Sequence, residues 1–220
     1  MESIASQEAF IHVRMIIGVV TGLSMARLLS GLARFVQHPA RPRVYPTHVI
    51  WAVFMLLATT NFWWFEFGLR ALPIWTFETY FFVITYAAVY FFTCTLLFPD
   101  TLDEYRGYED YFHARQKWFF FLLATIYLMD LADSALKGGA YFVSFGSIYV
   151  PRQVGFALLA IGAAFTQNRR VHLGFAGETT RHRLATNPLG VEAMAVVGDL
   201  DDDVTALMKS AQRDGADLRL

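Results

Sequence analysis

Five stretches of this chain are apolar for long enough to cross a lipid bilayer, and nothing else in the sequence constrains the fold as much. A spanning helix needs about 20 mainly apolar residues. Residues 10–35, 48–69, 74–98, 118–136 and 148–166 meet that requirement. None alternates with the period of two that marks a transmembrane β-barrel, and a helix satisfies its backbone internally. The expected fold is therefore all-α: a polytopic transmembrane bundle of five spans over residues 1–167. A soluble-looking tail follows at 168–220. Composition agrees, since the 220 residues are 55% hydrophobic and only 17% charged, against about 25% charged in a typical soluble domain. A four-span arrangement, with one stretch lying along the interface, is the rival topology.

Lys and Arg collect on the cytoplasmic side of bundles. Arg34, Arg41 and Arg43 flank the first loop; Arg106, Arg115 and Lys117 lie in the third; Arg169, Arg170, Arg181 and Arg183 follow the fifth stretch. The opposite loops hold only Arg70 and Lys137. This asymmetry predicts an outside N-terminus and an inside C-terminus in a bacterial-type inner (plasma) membrane. The acidic start, Met1 to Glu8, is unlike the basic start of a signal peptide, so the first span is expected to be retained.

Two further helices are expected outside the spans. Thr101 and Glu104 match a capping box, and Leu102, Tyr105, Tyr108 and Phe112 share a face, which predicts an interfacial helix at about 101–113. In the tail, Val204, Leu207, Met208 and Ala211 share a face after three aspartates. That pattern predicts a short helix at about 201–213, too short to stand alone and so expected to dock on the bundle, a second copy or a cytoplasmic protein.

Gly18, Gly22, Ala26 and Ser30 recur every four residues, the small-residue spacing that lets helices approach closely in lipid. Packing within the chain is the expected use, and contact between copies the alternative.

Ionisable residues at membrane depth are costly and face a bundle interior or a wet cavity. Glu66, Glu78, Asp130, Asp133, Arg14 and Arg152 all fall in the outward half of the expected spans, and Arg27 alone lies past the midplane. Asp130 and Asp133 share a helical face, continued by Ser134 and Lys137. One reading is a structural salt-bridge network, with Arg14, Arg152 and Arg27 as charge partners. A sharper one is an outward vestibule in which Asp130, Asp133, Glu66 and Glu78 bind a cation or proton. A metal site adding His12 to these carboxylates is a third, and would suit a hard cation.

Much chemistry is excluded. A net charge of −1 gives no basic surface for nucleic acid, and a single cysteine, Cys94, rules out a disulfide framework. There is no zinc-protease or histidine-box spacing, no Gly-rich phosphate loop and no lysine inside a span to carry a retinal. His12 and His48 sit near opposite faces and cannot share a haem. Nothing marks an enzyme, although a carboxylate-only lipid or quinone enzyme stays open as a reading. No cofactor is predicted, with room left for a bound lipid. The leading expectation is a small homo-oligomeric channel or transport-type protein in membrane lipid. The alternative is a non-catalytic assembly or sensor subunit whose tail meets a cytoplasmic partner.

Overall fold

Local chemistry sets the helix ends. Pro46 occupies a first-turn position where its missing N–H leaves no bond unmade. The Thr76 hydroxyl accepts from the Thr79 amide at 3.3 Å and starts another helix. The computed structural model of the chain describes residues 2–37 and 45–185. Among them every regular element is helical and there is no strand. The order is α1 (Glu2–Gln37), α2 (Pro46–Phe65) running into a 3-10 segment (Glu66–Ala71), α3 (Phe77–Thr95) and α4 (Tyr108–Leu136). The short α5 (Gly139–Ser144), α6 (Tyr149–Ala163) and α7 (Arg169–Ala185) follow. Residues up to Ala176 form one compact unit, and Gly177–Ala185, the rest of α7, belong to a second.

Four of these helices are long and apolar enough to cross a membrane: Ser6–Gln37, Pro46–Ala71, Phe77–Thr95 and Tyr108–Leu136. The fifth apolar stretch folds as α6, whose 15 residues reach only about 22 Å. No separate interfacial helix forms at 101–113. Residues 101–107 make turns, and Gly107, at a φ of 152° that favours glycine, leads directly into α4. The polar segment from Tyr108 to Lys117 is thus the first part of α4 itself. Thr101 and Glu104 cap nothing, because the aromatic face they seemed to introduce starts one turn later. The helix expected at 201–213 lies outside the described residues.

Aromatic rings fill the interior. Phe62 of α2 lies 4.8 Å from Tyr86 and 4.6 Å from Tyr90 of α3, ring centre to ring centre. Trp51 of α2 sits 5.4 Å from Phe119 and 5.1 Å from Phe120 of α4. Helices α4 and α6 run antiparallel in steady register, with Ser134 beside Tyr149, Asp130 beside Gln153, Tyr127 beside Phe156 and Gln116 beside Ala163. Buried Ala157, Ala160 and Ala163 let the two backbones close up, as small residues do in lipid. The Gln116 amide donates to the carbonyls of Ala163 (2.8 Å) and Thr166 (2.5 Å), which the end of α6 would otherwise leave bare.

The tail contributes α7, a helix absent from the sequence-based expectation. Its start is marked by Asn168, whose side chain accepts from the Arg170 amide at 3.0 Å. His172, Phe175 and Ala176 are buried along one face. His172 stacks on Phe120 at 5.1 Å, and its Nε2 meets the Thr166 carbonyl at 2.9 Å. Phe175 lies 5.5 Å from Trp51.

The small-residue stripe of α1 is largely uncovered. Gly18 faces Trp63 of α2, whereas Gly22, Ala26 and Ser30 are exposed. The close approach on α1 occurs at Gly31 instead, where a Cβ would collide with the buried Phe98 ring. Gly31→Ala should therefore destabilise the bundle by about 1–3 kcal/mol, the usual cost of overpacking. Gly22→Leu, with no atom of the chain within 4 Å of its Cβ position, should leave the thermal midpoint of the single copy unchanged in a detergent that separates copies. Burial also lowers the His172 pKa below its ordinary 6.5, so the unfolded chain takes up that proton first. The stability His172 contributes is complete above pH 6.5 and falls as acid is added. A thermal midpoint that declines in acid less steeply for His172→Phe than for wild type is the expected result.

Candidate functional site

The end of α2 and the end of α4 meet, and each brings charge. Where α2 tightens into its 3-10 segment, Glu66 is the first residue of the tighter turn. Asp133 and Lys137 lie one turn apart at the end of α4 and its cap. The Lys137 Nζ donates to Glu66 Oε1 at 2.9 Å and to Asp133 Oδ2 at 2.5 Å. All three side chains are buried, at 2%, 3% and 5% exposure for Glu66, Asp133 and Lys137. Gly68 makes room for them. A Cβ there would stand 3.1 Å from Lys137 Cδ and 3.4 Å from its Cε, so the missing side chain lets the lysine stem lie along the 3-10 backbone.

Desolvating these charges costs several kcal/mol each, and only close pairing returns it. The pairing here is incomplete. Glu66 Oε2 and Asp133 Oδ1 are buried and have no hydrogen-bond partner. Two carboxylates around one ammonium also leave one negative charge over when all three groups are ionised.

A third carboxylate adjoins the triad. Asp130, half-buried, accepts from the Tyr149 hydroxyl at 2.6 Å and from the Gln153 amide of α6. The Tyr86 hydroxyl of α3 approaches it at 3.4 Å. Ser134 Oγ lies 2.7 Å from the Tyr149 oxygen, so a hydroxyl chain leads from Ser134 through Tyr149 to Asp130. Arg152 lies over the Tyr149 ring at 5.4 Å and within electrostatic reach of Asp130.

The other charges expected at this site separate into three places. Arg14 lies over the rings of Phe67 at 3.1 Å and Trp63 at 4.5 Å, close enough to Glu66 to feel its charge. Glu78 stands apart, exposed in the first turn of α3, where the helix dipole favours a carboxylate. Arg27 belongs to the opposite end of α1, paired with Asp100 at 2.5 Å and donating to the Phe98 carbonyl at 3.0 Å. That pair is exposed, at 30% and 83% for the two side chains, and such pairs contribute little. His12 is exposed on α1. Among the described residues no group of three or more His, Cys, Asp or Glu side chains could hold a metal ion.

Two buried residues were named in the sequence without being given a role at the site. Lys137 follows the fourth apolar stretch directly and counts as a loop residue for the charge rule, although its spacing of four from Asp133 puts it on the carboxylates' face. His48, fully buried in α2, meets the Leu97 carbonyl at 2.5 Å and stacks on Tyr108 at 5.1 Å. No pattern around it in the sequence announces that role.

Removing the ammonium alone should be severe. Lys137→Met strands two buried carboxylates and should cost about 3–5 kcal/mol. The triple variant Glu66→Gln/Asp133→Asn/Lys137→Met should recover most of that loss, as followed by thermal unfolding in detergent. Comparison with family models, with curated proteins and with solved structures finds no match for this chain.

Proposed function

We propose that this chain is a small membrane transport-type protein that moves protons through the Glu66–Asp133–Lys137 triad. The observation that carries this reading is a buried ammonium held by two carboxylates, each with one oxygen left unpartnered. The triad has one negative charge too many when fully ionised, and one proton removes the excess. A larger cation would need the place between the carboxylates that the Lys137 Nζ already fills. Asp130, half-buried and tied to Tyr149 and Gln153, is one turn before Asp133 on α4 and would pass protons to the triad.

In this proposal the four long helices and α6 together make five crossings, with the N-terminus outside and the C-terminus inside a bacterial inner membrane. Although α6 is short, about 22 Å for its 15 residues at 1.5 Å per residue, the apolar stretch 148–166 that contains it approaches the roughly 20 residues that a hydrocarbon core of about 30 Å needs. The triad then lies toward the outside, and Arg169 and Arg170 at the start of α7 lie on the inside as the charge rule prefers. Self-association through the uncovered Gly22–Ser30 face of α1 would complete the assembly.

Purified protein in liposomes carrying a trapped pH dye, with an imposed potential, provides the test. Proton entry should exceed that of empty liposomes and fall at least 10-fold in Glu66→Gln and in Asp133→Asn, a rise of about 1.4 kcal/mol or more in the barrier. Flux unchanged in an Asp130→Asn/Asp133→Asn protein would overturn the mechanism.

A further inference from the structure

Arg14 lies within electrostatic reach of Glu66, and both have unused hydrogen-bonding capacity. Both terminal nitrogens of Arg14 are buried and without a partner, and so is Glu66 Oε2. The guanidinium rests on Phe67, the residue after Glu66, at 3.1 Å from the ring centre. It is close enough for the Glu66 charge to act on it. Glu66 itself begins the 3-10 segment that ends the α2 run, a geometry with weaker hydrogen bonds than the α-helix it follows. A hydrogen bond between the two would satisfy orphaned groups on each.

We infer that Glu66 has two alternative partners, Lys137 on α4 and Arg14 on α1, and that loss of a proton from the triad moves it from the first to the second. The inference rests on the proton reading above and assigns Arg14 a place in it. The charged and titratable groups facing Glu66 are Lys137, Asp133 and Asp130 from α4, Arg14 from α1 and Tyr141 from α5. With a proton on one carboxylate, Lys137 serves both, as in the structure described here. Without it, Lys137 with Asp133 and Arg14 with Glu66 form two complete pairs, and no buried charge is left over. Arg14 is then a positioning residue: it draws Glu66, and with it the end of α2, toward α1.

A stability comparison in detergent tests this without relying on transport. In an Asp133→Asn background, Glu66 stays on Lys137 and Arg14→Met should scarcely move the thermal midpoint. In Asp133→Asn/Lys137→Met, Arg14 is the only cation left for Glu66, and Arg14→Met should lower the midpoint at least twice as far. Adding Glu66→Gln should remove the difference. Equal effects in the two backgrounds would overturn the exchange. So would an Asp133→Asn/Lys137→Met protein that fails to fold while its Glu66→Gln derivative folds. Wild-type protein carrying nitrogen-labelled arginine gives a second readout: the Arg14 side-chain resonance, identified by its loss in Arg14→Met, should shift as pH rises, and should not in Glu66→Gln. An unmoving resonance alongside proton flux that depends on Asp133 would overturn the exchange and leave the proton reading standing. A moving resonance without flux would support the pairing and count against transport.

Discussion

A lysine ammonium shut between two carboxylates is the constraint around which one end of this bundle is arranged. Desolvation makes any one of the three charges prohibitive alone, so the end of α2 and the end of α4 are held where Lys137 can reach both Glu66 and Asp133. The demand propagates outward. The 3-10 turn presents Glu66, Gly68 clears a path for the lysine stem, and α6 runs beside α4 so that Tyr149 and Gln153 can occupy Asp130.

The opposite end meets a different demand, the bare carbonyls with which helices finish. Side chains from other helices meet several of them. His48 of α2 lies against the Leu97 carbonyl just past α3, Arg27 and Arg34 of α1 donate to those of Phe98 and Pro99, and Gln116 of α4 donates to those ending α6. Where no water competes, such contacts hold chain segments together without a large apolar driving force between helices. Aromatic rings fill the space between, with Trp51 near Phe120 and Phe175, and Phe62 near Tyr86 and Tyr90.

The helical class and the long apolar segments are legible in sequence because length and hydropathy alone determine them. Asp133 is legible through its spacing from Asp130, and Glu66 through its depth in an apolar run. Lys137 is legible as a continuation of the Asp130–Asp133 face but not as their ion-pair partner, because a hydropathy window places it in a loop, whereas its long stem and its spacing of four from Asp133 draw it inward. Glu78 misleads in the opposite way: it looks like Glu66 in composition, but the Thr76 cap makes it a first-turn carboxylate facing out. The break between turns and helix at Gly107 outweighs an apparent capping box six residues earlier. Helix α7 is hidden by its arginines, though the Asn168 cap and the spacing of His172, Phe175 and Ala176 were present.

Proton uptake by the triad itself is the central claim, and infrared spectroscopy of the purified protein reads it most directly. The carboxylic-acid carbonyl band that grows on acidification of the wild type should contain a component that is lost in Glu66→Gln/Asp133→Asn, over and above the band of the other Asp and Glu residues. A carboxylic-acid band unaltered in that double variant, or none titrating in the wild type, would contradict the account.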